Sequence, residues 1–566
     1  MPTFGSDIAV QLLDHLGIRY MSLNPGASLR GLHDSLVHQK SPEMVLATNE
    51  VVAVSIAHGY AKAAGEPMAV GLHDLVGLQS GSLGIYNAWA DLVPMMVIGG
   101  TGPADAAQRR PWIDWLHATR SHGLQVRDYV KWDDEPVSPK AMVSSLLRAS
   151  QIANTSPQGP TFVGLDVLLQ EQLVDDSLLS SIAVAAPSRL TAPSADLEQL
   201  ADRVVAAERP VILADFVGRS EAGYRALIAL AELLAAPVVD LGSRHNFPSD
   251  HWADGTNHHR NLLADTDLVV ALDLRDVRWA TSEIDIENHG SRDLLSPGTP
   301  IVGMSLNQLM HRGFNDREDI VDSELMLVAD TEVALPELVE LVRRRVSDRS
   351  ARRDALVARL DPFPSFESID DHRGPLTRTA LASALAPAIR EGPWQLAHGI
   401  LGGAARRAWP FADYNCYLGY SGGGGLGYGL GATVGAALAH RDDDTLVVDL
   451  QPDGDFLYTA SALWTAAHHR LAALFVVVNN RTYGKDRLHQ ATVARLRGRP
   501  VPEPSPGIDL DDPCIDFAAL AAAQGVEGIG PIDSAAELST SLARAASVVR
   551  NERRSVVVEV VVDRES

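Results

Sequence analysis

Cysteine is almost absent from this chain of 566 residues, which contains only Cys416 and Cys514. Two cysteines are too few for a disulfide framework or a structural zinc site. No apolar run approaches the roughly 18 residues needed to span a bilayer, and the first residues lack the basic region and apolar core of a secretory signal. We therefore expect a cytoplasmic protein that is not inserted in a membrane.

Positive charge is also scarce, because 48 Lys and Arg residues face 72 Asp and Glu residues and leave a formal net charge of -24. Binding to nucleic acid independently of its sequence requires a basic face that displaces the counterions of the phosphates. We therefore expect no nucleic acid among the partners. The length, at roughly 150 residues per domain, indicates three or four domains.

Apolar, strand-like runs alternate with helical patterns along the chain, which indicates an α/β fold with parallel sheets covered by helices on both faces. Two stretches interrupt this alternation. One is Pro- and Ala-rich and covers 183–197, and the other is a charged run followed by a Pro-containing one that ends near residue 375. We therefore predict three doubly wound parallel-sheet domains over residues 1–182, 195–345 and 373–566.

The segment 449–484 contains two strand ends that carry polar side chains. The run TLVVDL predicts a strand that ends at Asp453, and LAALFVVV predicts one that ends at Asn479 and Asn480, with a helix over roughly 459–470 between them. Because the carboxyl ends of neighbouring parallel strands meet at one edge of a sheet, we expect Asp453 and Asn480 to lie close together. Asp-Gly and Asn-Asn are each also typical of a plain turn, but their matched positions favour a ligand site.

A carboxylate and an amide oxygen suit a hard cation such as Mg²⁺, which keeps diphosphate oxygens and water in its remaining positions. A backbone carbonyl near Thr482 would complete the protein's share of the ligands. Gly454, next to Asp453, allows the backbone to pass close to a diphosphate. The sequence therefore predicts metal ligands at Asp453, Asn480 and Thr482, beside a diphosphate.

This segment resembles the signature of the thiamine diphosphate-dependent enzyme family, in which Gly-Asp-Gly is followed at a similar spacing by Asn-Asn. The family includes benzoylformate decarboxylase, acetolactate synthase and pyruvate decarboxylase, and SALWTAA beside NNRTYG is most similar to the first of these. The resemblance covers nearly the whole chain and implies three domains in the order pyrimidine-binding, central and diphosphate-binding. Other motifs that fall in the family's order are Asn24-Pro25-Gly26, Glu50, Gly71-Leu72-His73, Gly424-Gly425-Leu426-Gly427 and Asp516-Phe517.

The resemblance also implies roles for single residues. Glu50 would hydrogen-bond the pyrimidine ring of the cofactor and promote its ionisation, Leu426 would support the cofactor's bent conformation, and His73 would move a proton in the substrate cavity. By itself, Glu50 is typical of a carboxylate at a helix N-terminus, Leu426 of a core side chain, and His73 of a structural histidine. The further positions implied near the cofactor are Pro25, Gly26, His398, Gly399, Gly425, Gly454, Asp455 and Tyr458.

Pro452 departs from the family's pattern, and two further features bear on the site. Pro452 stands where the first Gly of the signature is expected, and proline is tolerated there only at a strand terminus that donates no ladder bond. Asp455 adds a carboxylate that would repel the diphosphate unless Mg²⁺ intervenes or its side chain turns outward. The segment 109–123 is rich in Trp, Arg and His, and either lines a substrate entrance or forms a helix packed by Trp112 and Trp115.

The function implied is the cleavage of a 2-oxo acid with thiamine diphosphate and Mg²⁺, by non-oxidative decarboxylation through an acyl-anion intermediate. One alternative is a carboligase of the acetolactate synthase type, which joins the acyl anion to a second carbonyl compound, an aldehyde or ketone. A remoter alternative is a non-catalytic scaffold or regulatory subunit, against which the costly polar groups of Glu50, Asp453 and Asn480 argue. The family also implies a homodimer or homotetramer, in which Glu50 and Asp453 would meet between subunits.

Overall fold

The chain is built around three separate parallel β-sheets, one of six strands and two of five. This computed structural model describes residues 2–179, 185–286, 289–310, 322–360, 369 and 372–564. Residues 183–184 of the first interrupting stretch, and 361–368 and 370–371 of the second, lie outside that part of the chain. The predicted α/β class with several parallel sheets is confirmed. Among the described residues, no helix combines the length and apolar character needed to cross a bilayer.

The first unit contains the six-stranded sheet. Its strands are β1 (Thr3–Phe4), β2 (Tyr20–Leu23), β3 (Glu43–Leu46), β4 (Met68–His73), β5 (Met95–Thr101), β6 (Asp133–Asp134), β7 (Pro160–Asp166) and β8 (Leu173–Val174). Its helices are α1 (Gly5–His15), α2 (Arg30–Gln39), α3 (Glu50–Ala64), α4 (Asp74–Ala90), α5 (Ile113–His117), α6 (Pro139–Asn154) and α7 (Val167–Glu171). The parallel order is β3-β2-β4-β5-β7-β6, and β1 pairs antiparallel with β8. Strand β5 is buried throughout, as is typical of a parallel strand covered on both faces.

The central unit contains the first five-stranded sheet, in the order β10-β9-β11-β14-β15. Its strands are β9 (Pro210–Ala214), β10 (Val238–Asp240), β11 (Leu268–Leu272), β12 (Ser282–Asp285), β13 (Gly290–Asp293), β14 (Ile301–Ser305) and β15 (Leu325–Val328). Its helices are α8 (Ser194–Ala206), α9 (Glu221–Leu234), α10 (His259–Asp265), α11 (Val277–Ala280), α12 (Thr331–Arg343) and α13 (Ser350–Leu360). Because Leu356 and Leu360 of α13 pack in a core cluster of this sheet, we propose that the central domain extends beyond residue 345, to Leu360.

The third unit contains the other five-stranded sheet, in the order β16-β17-β18-β20-β19. Its strands are β16 (Trp394–His398), β17 (Leu446–Pro452), β18 (Leu474–Asn479), β19 (Glu527–Ile532) and β20 (Val556–Val561). Its helices are α14 (Arg378–Arg390), α15 (Ala404–Ala408), α16 (Gly429–Ala439), α17 (Asp453–Thr459), α18 (Ala462–His468), α19 (Gly484–Leu496), α20 (Phe517–Ala523) and α21 (Ala535–Ser547). Each of the three proposed domains therefore contains one parallel sheet.

The first and third units share one hydrophobic core. A single buried cluster contains Val97 and Phe162 of the first unit together with Val447 and Phe475 of the third. At its centre α3 and α16 cross so closely that the packing leaves no space for side chains at the glycines between them. A Cβ atom on Gly59 would collide with the backbone of Ala432, and one on Gly435 with the backbone of Ile56. This crossing fixes the N-terminus of α3, where Glu50 lies, relative to the N-terminus of α16.

We expect the substitution Gly435→Ala to lower the free energy of unfolding by about 1–3 kcal/mol, because the new methyl group overpacks the helix crossing. The measurement is the urea midpoint of unfolding. Gly392→Ala is the matched control, since there the nearest atom to the methyl group would be Arg550 Nη1 at 3.2 Å rather than a backbone atom. Equal midpoints for the two variants would contradict the close crossing.

A buried group of charges joins all three units. The Asp91 carboxylate lies 2.6 Å from Lys62 Nζ and 2.7 Å from both Arg244 Nη1 and His58 Nε2. Lys62 also donates a hydrogen bond of 2.7 Å to the carbonyl oxygen of Tyr420 in the third unit. Burial alone would raise the pKa of Asp91, but Arg244 and Lys62 hold it well below its usual range. The ionised carboxylate therefore ties the first unit to the central one through Arg244.

Candidate active site

The ends of β17 and β18 meet at one edge of the third sheet. The two strands are parallel, and Pro452 pairs with Val478 at their ends. Asp453 follows as the first residue of α17, and Asn480 follows the last residue of β18. Pro452 is tolerated because it is the N-cap of α17, with a φ of -61° that suits the pyrrolidine ring. The helix expected at 459–470 begins earlier, at Asp453, and consists of the two short helices α17 and α18.

Three oxygen-bearing side chains are buried at this edge. Asp453 Oδ1 accepts a hydrogen bond of 2.9 Å from the Gly454 amide, while Asp453 Oδ2 is buried without a partner. Asn480 Oδ1 accepts one of 3.3 Å from the Thr482 amide, and Thr482 Oγ1 is also buried without a partner. Burial raises the pKa of Asp453 to about 6, although backbone amides oppose the shift. Unpartnered buried oxygens are costly, and a hard cation would satisfy them.

The donor set is one that Mg²⁺ favours. Within the described ranges no group of three or more His, Cys, Asp or Glu side chains could hold a metal. The edge instead combines one carboxylate with neutral oxygens, and Mg²⁺ is commonly held by one or two carboxylates together with phosphate oxygens and water. Between Asn480 and Thr482, Arg481 has a φ of +58°, a strained conformation that is typical of functional loops.

Gly454 and Asp455 have structural partners that the sequence did not reveal. A Cβ atom on Gly454 would collide with the ring of Tyr483, so this glycine is required by its own chain as well. Asp455 accepts hydrogen bonds from the amide of Gly427 and, at 2.7 Å, from Gln451 Nε2. Its carboxylate is therefore held against the glycine-rich loop. The negative charge points into the protein, whereas it would otherwise face a diphosphate.

The glycine-rich loop, residues 421–427, is held from two other units. Asn87 of α4 accepts a hydrogen bond of 3.1 Å from the Gly425 amide and donates one of 3.3 Å to its carbonyl. Arg275 of the central unit donates to the carbonyl of Gly422. Leu426, at the tip of the loop, is 43% exposed. No local pattern in the sequence could identify Asn87 or Arg275, because both are distant from the loop along the chain.

Tyr458 lies beside the glycine-rich loop, His398 contacts Tyr428 directly after the loop, and Gly399 lies against β17. His398 ends β16, and its Nδ1 lies 3.4 Å from Asp449 Oδ1. Burial opposes protonation of His398, but Asp449 outweighs it and the pKa of this histidine is raised. Gly399 has a φ of +79° and approaches the backbone of Leu450. Tyr458 lies on α17 beside Gly427 and is 56% exposed.

Glu50 and His73 come together at the carboxyl edge of the first sheet, where β3, β2 and β4 are neighbours. Glu50 is the first residue of α3, and Asn24 Nδ2 donates a hydrogen bond of 3.2 Å to its Oε1. His73 ends β4 and is the N-cap of α4. Gly77, one turn into α4, separates the two side chains, because a Cβ atom there would lie 3.0 Å from Glu50 Oε1 and 3.3 Å from His73 Cβ.

The loop after β2 holds the His73 ring. Gly26 packs so closely on the ring that any side chain there would collide with it, and Pro25 precedes it in this loop. Ser28 Oγ lies 2.8 Å from His73 Nδ1, and the Ser28 amide lies 3.4 Å from the same nitrogen. Burial lowers the pKa of His73. The imidazole is therefore neutral near pH 7, and can accept a proton or pass one on.

A buried ion pair lies directly behind His73. Asp74 has a φ of +46°, and its Oδ1 lies 2.8 Å from His122 Nε2. Glu135 Oε2 lies 3.7 Å from the other ring nitrogen of His122. Burial would lower the pKa of His122, but Asp74 and Glu135 outweigh it and raise the pKa to about 9. The His122 imidazolium thus holds Asp74 in its strained conformation beside the candidate catalytic histidine.

We expect His122→Gln to destabilise the fold most at low pH. The folded-state pKa of His122 is raised above the unfolded value, so its stabilisation is complete below about pH 6.5 and is lost as the pH rises through about 9. The free energies of unfolding of wild type and variant, measured by urea titration, should differ by about 2 kcal/mol at pH 6 and become equal by about pH 10. A difference that stays constant over this range would show that His122 is not charged in the folded protein.

A buried carboxylate, and not the two tryptophans, stabilises the segment 109–123. Trp112 and Trp115 are 64% and 60% exposed and contact each other, with ring centroids 5.9 Å apart. The interpretation of a helix packed by these two tryptophans is therefore wrong. Asp114 is buried instead, and it accepts hydrogen bonds of 2.7 Å from both the backbone and the side chain of Arg110.

The cluster of Glu50 and His73 and the cluster of Asp453 and Asn480 are not joined to each other within one chain. In the described residues no hydrogen bond or ion pair links Glu50 or His73 to Asp453 or Asn480. The hydrogen bond from Thr48 Oγ1 to Ser461 Oγ, of 2.8 Å, joins the first and third units close to Glu50 without involving either cluster. Each cluster therefore presents its functional groups at a separate sheet edge.

Two family profiles match the chain. The profile described as "Thiamine pyrophosphate enzyme, N-terminal TPP binding domain" matches residues 4–128, and that described as "Thiamine pyrophosphate enzyme, C-terminal TPP binding domain" matches residues 398–560. The two matches include Glu50 and His73 in the first and Asp453 and Asn480 in the second. Together they cover about half of the chain.

Individual proteins are similar over most of the chain. Benzoylformate decarboxylase of Pseudomonas aeruginosa is 27% identical over 507 residues, which cover 86% of this chain and 86% of that protein. The chloroplastic acetolactate synthase of Arabidopsis thaliana is 23% identical over 528 residues, which cover 87% of this chain and 73% of that protein. The thiamine diphosphate-dependent 4-hydroxybenzoylformate decarboxylase of Rhodococcus jostii has the same fold, with a TM-score of 0.82 over 100% of both chains at 22% identity.

Proposed function

The chain belongs to the family of thiamine pyrophosphate enzymes of the decarboxylase and acetolactate synthase type, and on that premise we propose that it decarboxylates a 2-oxo acid to an aldehyde. The observation that carries this proposal is the placement of His73 beside Glu50, with a ring that is neutral and half-buried. The similarity to benzoylformate decarboxylase, which covers 86% of both chains, supports the same reaction class.

The residues at the third-sheet edge fit the diphosphate end of the cofactor. We propose that Asp453, Asn480 and the Thr482 carbonyl bind Mg²⁺, which in turn binds the diphosphate. The unpartnered Asp453 Oδ2 supports this assignment, because a buried carboxylate oxygen without a donor is stabilised by a cation. Thiamine diphosphate, when bound, supplies the electron sink that makes the bond next to a carbonyl group labile.

The chain's own residues bind, orient and move protons. Glu50 would offer a carboxylate oxygen to the pyrimidine ring of the cofactor, and Asn24 keeps that carboxylate in place. Leu426 is presented by a loop that Asn87 and Arg275 hold, so its position is set by three units at once. His73 accepts or donates a proton at the substrate, and Gly26 and Ser28 keep its ring from turning.

A second copy of the chain would complete the site. Glu50 and Asp453 lie at different sheet edges and share no hydrogen bond or ion pair in the described part of one chain, while Leu426 and Tyr458 stand exposed beside the third-sheet edge. We propose a homodimer, or a tetramer made of two such dimers, in which the first-sheet edge of one copy faces the third-sheet edge of the other.

A carboligase is the second candidate function. The acetolactate synthase similarity covers 87% of the chain, and the groups described above serve either outcome. The two reactions differ in whether the reacting carbon gains a proton or joins a second carbonyl compound.

The test is to incubate the purified protein with thiamine diphosphate, Mg²⁺ and a panel of 2-oxo acids, namely pyruvate, 2-oxoisovalerate, phenylpyruvate and benzoylformate. Products are identified by NMR. An aldehyde as the main product supports the decarboxylase, and a 2-hydroxy ketone supports the carboligase. If no 2-oxo acid is consumed, the proposed function is wrong. Removal of Mg²⁺ with a chelator should abolish either product.

A further inference from the structure

A second histidine lies against His73. The rings of His73 and His117 are in edge contact, with centroids 5.5 Å apart and planes at 71°. His117 is the last residue of α5, and its Nδ1 is buried without a hydrogen-bond partner. This nitrogen is therefore available to accept or donate a proton beside the candidate catalytic histidine.

Two ion pairs stabilise the segment 109–123, one within it and one that attaches it next to His73. Before His117, the buried carboxylate of Asp114 binds Arg110. After it, His122 binds Asp74, the residue that follows His73. The segment is therefore attached on one side to the very turn that presents His73. The Arg110–Asp114 pair stabilises the segment internally, and the His122–Asp74 pair attaches it beside His73, although α5 itself has only five residues.

The charged groups around His73 and His117 favour one extra proton, and not two, on these two rings. The charged or titratable groups that face it are Asp74, His117, Glu50 and Arg110. The Asp74 carboxylate is already bound to His122, and Glu50 is hydrogen-bonded to Asn24. Two adjacent imidazolium ions, with Arg110 nearby, would repel each other.

The proton of neutral His73 is on the nitrogen away from Ser28. The Ser28 amide can only donate, so its contact with His73 Nδ1 requires that nitrogen to be an acceptor. The proton then lies on Nε2. A second proton on His73 would therefore make its ring the positively charged one of the two histidines.

We propose that His117 and His73 form a proton-carrying pair that holds one exchangeable charge and delivers its proton to the reacting carbon of the 2-oxo acid, which makes His117 a second catalytic residue. This inference deepens the proposed function and rests on it. Loss of carbon dioxide from R–CO–COO⁻ breaks one carbon–carbon bond, and the carbon that remains takes up one proton to give R–CHO. No oxidation or reduction occurs, and the pair regains its proton from water.

The first measurement uses the protein without cofactor or substrate. Histidine labelled with ¹³C in its ring is followed by NMR over pH 4–9, and the His73 signal is assigned by its absence in His73→Gln. We expect His117→Gln to raise the pKa of His73, because it removes a neighbouring positive charge. His38→Gln, an exposed histidine on α2, is the matched control and should leave the His73 titration unchanged. An unchanged titration in His117→Gln would overturn the pair.

The second measurement uses turnover of whichever 2-oxo acid the wild type accepts. His117→Gln should lower kcat by about 10²-fold or more, which is the usual contribution of a positioned acid or base, with a much smaller change in KM. The acidic limb of the pH profile should also move upward, as the His73 titration does. A wild-type kcat and profile would overturn the inference.

The two measurements separate the inference from the function it rests on. His117→Asn, checked for folding by circular dichroism, replaces His117→Gln if the latter misfolds. If His117→Gln shifts the His73 titration and the wild type consumes no 2-oxo acid, the proposed function and the catalytic role of His117 are both wrong. If the wild type releases aldehyde and His117→Gln leaves the His73 titration unchanged, the proposed function stands and the proposed histidine pair is wrong.

Discussion

Asp453→Ala should give a folded protein that no longer retains thiamine diphosphate or Mg²⁺. The Asp453 carboxylate is buried, one of its oxygens has no partner, and its pKa is raised to about 6 by burial. Burial therefore destabilises its ionised form relative to that of an exposed carboxylate, and a bound cation would compensate for this. The variant without ligands should be at least as stable as the wild type, while its affinity for the cofactor with Mg²⁺ falls by about 10²-fold or more.

The measurement is the shift of the unfolding temperature on addition of thiamine diphosphate and Mg²⁺, together with calorimetric titration. A ligand that binds only the folded protein at a hundredfold its dissociation constant stabilises it by about 2.7 kcal/mol, and this gain should vanish in Asp453→Ala. Asp354→Ala, an exposed carboxylate on α13, is the control and should keep the full shift. Stoichiometric cofactor in Asp453→Ala would exclude the metal role.

Glu50→Gln should bind the cofactor and fail to activate it. The substitution keeps the shape of the side chain and its contact with Asn24, and removes only the negative charge that would hold a proton on the pyrimidine ring. We expect kcat to fall by about 10²–10⁴-fold, with cofactor affinity within about threefold of the wild type because the metal-binding edge is unchanged.

The specific readout is the exchange of the thiazolium proton of the bound cofactor with deuterium, which does not require a substrate. Exchange should be slow in Glu50→Gln and fast in Glu337→Gln, an exposed glutamate on α12. Exchange at the wild-type rate in Glu50→Gln would refute the assignment. Loss of cofactor instead of slow exchange would mean that Glu50 binds the cofactor without activating it.

The sequence identified those candidate residues that lie next to a recognisable local pattern. Asp453 and Asn480 follow continuous apolar strands, and Glu50 begins a helix directly after one, so pattern and motif together located them. The juxtaposition of Asp453 and Asn480 followed from the geometry of parallel strands, and the structure has it. Pro452 was correctly expected to be tolerated at a strand terminus.

What the sequence could not predict depends on contacts between distant segments. His117 and His122 lie more than forty residues from the turn they contact, and nothing in the pattern of 109–123 indicates which side chain faces which unit. For Trp112 and Trp115 the sequence left two alternatives open, and one of them, a packed helix, is wrong. Asp455 was assigned by its neighbours along the chain, whereas its actual partners are Gly427 and Gln451.

The close crossing of α3 and α16 has a consequence for how the polypeptide is made. Helix α3 leaves the ribosome several hundred residues before α16, a delay of tens of seconds at roughly 5–20 residues per second. Throughout that interval the nascent N-terminal unit displays an apolar surface whose permanent cover has not yet been synthesised. Truncated chains that stop before residue 429 should therefore aggregate or be captured by chaperones, and only the nearly complete polypeptide can bury the groove left open beside Gly59.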